Sequence, residues 1–390
     1  MNAQAYAGYH LGKQTKVRLN GFAERTNRQD ANSFLSSGEF LDIPYNSYGT
    51  QFDIQHNVFE DSQFATRLGV GYTWKQLGQD ISDRILHGNL NLLKAVSDKI
   101  SIELPVTYNR VEGQNSPEGN AEKLASEIVV EPNVRVKEMN YQAKAGFQFI
   151  RNDTMNLFFP IVDINLVSVF SGIDLRLFTS SEYSRNSASN LFELNPYYNL
   201  AEFQSLDYSL SNVRSYNLEP SYRLNEFGFK LGLAYTQYRQ EANFRTPEEN
   251  PTVEFISRDE FSFLPSISYD PNEDIHLEVK GRYNLFLTDN LDLYYKPSIE
   301  LGVTGKQFLL RHKLELTQYI NFMGVRQFRQ EQDVNELEPF WDLGLKVRYK
   351  LSDQFDIFVQ GSNLLGQDYS LWQGQPVLQQ QMWGGLKFRF

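Results

Sequence analysis

Charged side chains recur at alternate positions through the second half of the chain. Glu278, Lys280 and Arg282 form one set, Arg311, Lys313 and Glu315 a second, and Asp342, Lys346 and Arg348 a third. A spacing of two places each set on one face of a β-strand. Opposite charges on such a face can pair across strands. Where the face looks into a wet lumen, they can also line a path for a polar solute. The histidines, His10, His56, His87, His276 and His312, offer no competing chemistry. His56 and His312 share the parity of their apolar neighbours, and His276 adjoins the turn at Asp270–Asp274. No His-x-x-x-His pair, aspartate pair, Gly-x-Ser-x-Gly elbow or glycine-rich phosphate loop accompanies them. The chain therefore reads as a non-enzyme, with neither a cofactor nor a metal site.

The segments that would position these charges alternate apolar and polar residues nearly without interruption. Phe227, Phe229, Leu231, Leu233 and Tyr235 oppose Lys230, Gly232, Ala234 and Thr236. Ile275, Leu277, Val279, Tyr283 and Leu285 oppose the first charged set, and Trp341, Leu343, Leu345, Val347 and Tyr349 oppose the third. Earlier segments, such as Phe64–Trp74 and Tyr141–Phe149, follow the same rule. The runs extend over roughly 10 to 16 residues, enough to cross a bilayer at a tilt. Their apolar faces tend to finish on Tyr or Trp, as membrane-interface belts do.

Composition agrees with that reading. The 390 residues include 29 Phe and 22 Tyr, and no cysteine, which excludes disulfides and thiolate sites. Mean hydropathy is −0.47, and no run is long enough for a membrane helix. Barrel strands average out to polar, so this excludes helices only. A net charge of −11 argues against nucleic acid as a partner.

Connections sort into two sets. Tight ones are expected at Phe59–Ser62, Ser97–Lys99, Lys137–Asn140, Phe170–Gly172, Leu224–Glu226, Asp270–Asp274, Thr304–Lys306 and Leu351–Gln354. Long ones are expected at Arg25–Asn46, Glu112–Leu124, Ser180–Gln204, Glu241–Thr252, Phe322–Asn335 and Gly366–Gln379. Short turns belong to the periplasmic side and long loops to the outside, where the simplest reading makes them solvated surface. About 19 segments can be counted, whereas bacterial barrels close with even numbers. The first and last both run towards the periplasm, so either the first is no strand, leaving about 18, or a further strand lies ahead of residue 1, making about 20, and the second reading is preferred. Residues 1–10 show no basic and apolar leader. Gly232 and Gly344, on the lumen parity, are expected to accept a long charged side chain.

The last eleven residues, QQMWGGLKFRF, put Met382, Leu386, Phe388 and Phe390 on one parity. This resembles the C-terminal assembly signal of Gram-negative outer-membrane proteins, which implies recognition by the barrel assembly machinery. Phe355–Phe390 resembles the final strands of TonB-dependent receptors of the Bacteroidetes type. Asn363, Leu364, Leu365, Gln367, Tyr369, Trp372, Gly374, Pro376 and Val377 fill the places of the family's N-L-L-x-Q-x-Y-x-x-W-x-G-x-P-V stretch. Receptors of this family also carry a TonB box and a plug, and neither is recognisable before Thr15.

The expected fold is all-β, a transmembrane antiparallel β-barrel of about 18–20 strands in one domain over residues 1–390. Its expected place is the cell outer membrane, and its function solute transport or reception there. The rival reading is a structural barrel that anchors partner proteins. Expected partners are outer-membrane lipid and lipopolysaccharide, the assembly machinery, and periplasmic or surface proteins.

Overall fold

The computed structural model describes residues 2–30, 41–58, 64–78, 81–115, 122–153, 155–195, 209–245, 252–287, 293–330, 333–373, 375–377 and 379–388. The chain begins with β1 (Asn2–Leu11), β2 (Thr15–Asp30), β3 (Leu41–Val58), β4 (Phe64–Leu77), β5 (Ile81–Ala95) and β6 (Ile100–Asn115). Then come β7 (Glu122–Val130), β8 (Asn133–Lys137), β9 (Tyr141–Asn152), β10 (Asn156–Phe170) and β11 (Ile173–Arg185). A short helix, α1 (Ala188–Leu194), precedes β12 (Leu210–Leu224), β13 (Phe227–Arg245), β14 (Thr252–Asn272) and β15 (Ile275–Phe286). After β16 (Ile299–Leu309) and β17 (Leu314–Met323), a hairpin of β18 (Arg326–Gln330) and β19 (Asp333–Leu337) leads to β20 (Phe340–Lys350). β21 (Phe355–Ser362), the small pair β22 (Ser370–Trp372) and β23 (Gln375–Pro376), and β24 (Gln381–Phe388) complete the order.

Strand follows strand antiparallel from β1 to β24 in one sheet of 20 segments. β7 and β8 share a single course between β6 and β9, so the described residues cross 19 times. The break falls at Glu131 and Pro132, where proline has no amide hydrogen for the ladder. Among the described residues no pairing joins β1 to β24. With an odd number of crossings they run the same way, as the sequence parity requires, and cannot close antiparallel on each other.

Register fixes which side chains face out. Across β12, β13, β14 and β15, the row Tyr216, Tyr235, Phe261, Leu285 lies on the outer face. Below it are Leu231, Phe229, Val279 and Leu277, all exposed. So much contiguous exposed apolar surface is stable only against lipid. Above the row the outer face turns polar: Asp259 accepts from Tyr235 Oη at 2.8 Å and from Arg239 at 2.8 Å. That change marks the edge of the hydrocarbon. β14 has 21 residues, roughly 70 Å of strand, and continues beyond the bilayer.

Three expectations need correction. Thr304–Lys306 is no turn: β16 runs through it, and the reversal comes at 310–313, where Leu310, Arg311 and His312 have φ of 53°, 58° and 63°. Thr304 and Lys306 simply continue the alternation, while the polar Arg311–Lys313 stretch makes the bend. The loops expected at Arg25–Asn46, Glu112–Leu124, Ser180–Gln204 and Glu241–Thr252 are also shorter than expected, because β2 runs to Asp30, β6 to Asn115, β11 to Arg185 and β13 to Arg245. Gly344 and Gly232 do not face open lumen. A Cβ on Gly344 would lie 1.9 Å from the Tyr319 ring, and one on Gly232 would lie 2.9 Å from Leu264 Cβ. On β24, Met382, Leu386 and Phe388 are exposed on the outer face, and Phe390 lies outside the described residues.

Parity predicts the response to charge. Leu231→Arg and Leu343→Arg should each cost roughly 2–4 kcal/mol by placing a cation in hydrocarbon. Gly302→Arg is the matched lumen change, since its Cβ would meet only Asn321 Oδ1 at 3.5 Å. The loss of heat-resistant folded barrel on gels should follow the two outer variants alone. Topology can be read separately, because the chain has no cysteine. On intact cells an impermeant maleimide should label Leu194→Cys and spare Asp353→Cys, although Asp353 is 95% exposed on its turn.

Candidate functional site in the barrel lumen

Inward parity gathers the charges predicted from sequence into two places. Glu278, Lys280, Arg282 and Asp342 line a cavity of about 750 Å³ on the inner wall. Lys280 Nζ bonds Glu278 at 2.8 Å along its own strand, and Ser266 Oγ donates to the same carboxylate at 3.3 Å. Glu219 and Lys230, two strands and more away, join the cavity as an ion pair at 2.7 Å. Arg282 stands opposite Glu300, which also lines the cavity. Asp342 accepts the backbone amide of Asn363 at 2.8 Å, which fixes the chain where it leaves β21.

Glu315 belongs elsewhere. It sits between Lys306, at 3.2 Å, and Arg348, in a cross-strand clamp over β16, β17 and β20. Lys346 rests over the Phe358 ring at 5.4 Å. Arg311 and Lys313 are not ladder residues at all: they lie in the exposed turn between β16 and β17. Sequence reading missed Lys306 because it was assigned to a turn. Glu219, Lys230 and Glu300 were legible by carrying the parity of β12, β13 and β16 inward.

At the opposite end, described residues pack across the lumen. The connection after β11 folds back into the barrel as α1, with Ser187 as its cap. Leu191 is completely buried. Ser189 donates to Asp83 through its amide and its hydroxyl. Lys75 bonds Glu193 at 2.8 Å, and Tyr45 Oη donates to the same carboxylate. Leu191 packs with Tyr45, Leu77, Ile81, Val111 and Ala125 from β3 to β7, and with Ala242 and Phe244 from β13. Trp372 closes onto Phe244 with ring centroids 5.5 Å apart and onto Tyr295 at 4.5 Å. An apolar partition thus joins separated arcs of the wall across the mouth.

Beneath it is a buried polar knot. Arg258, 3% exposed, donates to Glu241 at 2.6 Å and pairs with Glu260, and its guanidinium lies 3.6 Å from the Tyr238 ring centroid. Lys296 reaches Glu241 at 2.8 Å. Burial pushes the Glu241 carboxyl up, but Lys296 and Arg258 outweigh it and hold the group below its ordinary value. Every charge in the knot has an opposite neighbour, which is what makes its burial tolerable.

The result is a long-stranded antiparallel barrel with an apolar outer wall, a charged lumen and residues folded across its mouth. Solved structures of transporters and import receptors share that fold. The FrpB iron transporter from Neisseria meningitidis superposes with a TM-score of 0.72 at 8% identity, over 100% of this chain and 71% of that one. The ferric-catecholate import receptor Fiu from K12 E. coli gives 0.69 at 8% identity, over 100% and 74%. The ferric enterobactin receptor PfeA from Pseudomonas aeruginosa gives 0.71 at 10%, over 99% and 70%. At these identities the likeness is one of fold. No protein-family model matches the chain, and no curated protein matches it.

The knot predicts a pH response. Because the folded Glu241 carboxyl lies below its ordinary 4.5, its stabilising contribution is complete above that value and is lost as pH falls below it. Protonation would release Lys296 and loosen the adjoining Tyr295–Trp372 contact. In a variant keeping Trp372 as sole tryptophan, acrylamide quenching should rise on titration from neutral to about pH 3. Glu241→Gln should remove the step, with quenching high throughout.

Proposed function

We propose that the chain forms the ligand-receiving barrel of an outer-membrane uptake receptor. Its solute is small and polar or charged, the class that includes the iron complexes carried by its structural neighbours. The observation supporting this most is the charged cavity of Glu278, Lys280, Arg282 and Asp342, set in the wall below a folded-in cap. Charges of both signs on a wet inner wall can exchange partners with a passing solute, whereas a bare scaffold has no use for them. The cap would hold the empty barrel shut and be displaced as ligand enters. No observation favours the rival reading of a structural anchor. On the outer face, Met382, Leu386 and Phe388 are the residues an assembly factor would read, and lipopolysaccharide would surround the wall.

Accumulation of a panel of labelled ferric and cupric chelates by cells displaying the protein tests the reading. At least one chelate should accumulate above the level of cells without it. The double variant Lys280→Glu, Arg282→Glu should cut that uptake by about tenfold at unchanged surface abundance. Uptake indistinguishable from cells lacking the protein, or a double variant as active as the wild type, would refute the lumen path.

A further inference from the structure

The outer wall carries a feature that solute passage does not use. On β2, β3 and β4, Gly21, Thr50 and Tyr72 stand side by side in register, and the next row towards the extracellular end is Tyr48, Trp74 and Arg84. Tyr45 and Ser47, of the opposite parity on β3, are buried, and Tyr45 reaches α1 in the lumen. Tyr48, Thr50, Tyr72, Trp74 and Arg84 therefore face outward. Gly21 has no side chain to complete its row, and a Cβ there would meet nothing nearer than Gly49 O at 3.9 Å. The result is an apolar-walled groove of about 590 Å³. Tyr48 and Trp74 stack along it, with ring centroids 5.6 Å apart.

Arg84 stands at the extracellular end of this groove and is unsatisfied. Its cross-strand neighbour Glu112 bonds Arg110 at 2.7 Å instead. Among the described residues Arg84 makes no hydrogen bond or ion pair. Immediately below it the outer face is hydrocarbon-facing, with Leu86, Val70 and Phe52 exposed. A guanidinium at that depth lies where lipid phosphates lie, and its planar fork suits two phosphate oxygens. The aromatic walls suit an acyl chain running down from the same headgroup.

We propose that the groove lined by Gly21, Tyr48, Thr50, Tyr72, Trp74 and Arg84 binds an outer-leaflet lipid with a phosphate-bearing headgroup. The phosphate docks on Arg84, and one acyl chain fills the space left by Gly21. This site rests on the barrel fold and the outward parity, and it is independent of what the lumen carries.

Native mass spectrometry of the full chain in a neutral maltoside, titrated with diphosphoryl lipid A, tests it. One lipid A should remain bound at low occupancy. Arg84→Gln should weaken binding by about tenfold, and Gly21→Leu, which fills the groove without touching the charge, should do likewise. Arg84→Lys should retain part of the affinity, because it keeps the charge and loses the fork. Inorganic phosphate should not compete, and an uncharged diacylglycerol should not bind above background. Heat-shifted gel mobility confirms that each variant is folded. Should Gly21→Leu fail that control, Thr50→Leu fills the same groove from the neighbouring strand. Lipid A binding unchanged by both the charge and the filling variants would overturn the proposal, as would equal binding of diacylglycerol.

Discussion

Backbone amides and carbonyls inside a bilayer have no water to bond, so a strand can cross only if its neighbours satisfy it. From this one constraint the rest of the molecule follows. Strand must pair with strand along the full width of the membrane, which gives an antiparallel sheet in which each strand pairs with the next from β1 to β24. Pairing in turn locks side chains into two faces, because a slip of one residue would exchange lipid for lumen along the whole strand. Pro132 shows how little departure is tolerated. The ladder breaks there for two residues and resumes on the same partners, with Glu131 N still bonded to Pro105 O at 2.9 Å.

The inner face answers to different physics. Charges there must be hydrated or paired, and the structure uses both solutions at different depths. Near the turn end, Glu315 is clamped by Lys306 and Arg348, which stiffens three strands at once. In the middle, Arg282 and Glu300 stand side by side on neighbouring strands and line a cavity that is open to water. Towards the loop end the wall dries out. The Arg258 knot is fully compensated, and the partition built on Leu191, Phe244 and Trp372 separates it from the outside. Among the described residues, packed structure therefore lies between the loop end and the charged cavity.

Much of this was legible in the sequence, for a definite reason. Period-two alternation is local, so Leu231, Val279 and Leu343 could be assigned outward, and Glu278 and Lys280 inward, without knowing their partners. The co-directional first and last strands were legible too, whereas the strand count stayed between about 18 and 20. What escaped depends on contacts between distant residues or on backbone choice. Arg311 and Lys313 kept the alternation of β17 on paper, yet three left-handed residues bend the chain exactly where they stand. Gly344 looked like open lumen because nothing local announces that Tyr319 lies over it. The helix at Ala188–Leu194 is too short to show a period, and Leu191 is buried by strands far from it in the chain, from β3 with Tyr45 to β13 with Phe244.

The account depends most on the claim that one parity meets lipid and the other a wet lumen. A nitroxide scan along β15, from Ile275 to Phe286, measures this directly because the chain has no cysteine of its own. In bilayers, oxygen accessibility should peak at Leu277, Val279, Tyr283 and Leu285. Accessibility to a polar nickel chelate should peak at the positions between them, out of phase over the whole strand. Two collision profiles that rise and fall together, or that lack a period of two, would contradict the barrel as described.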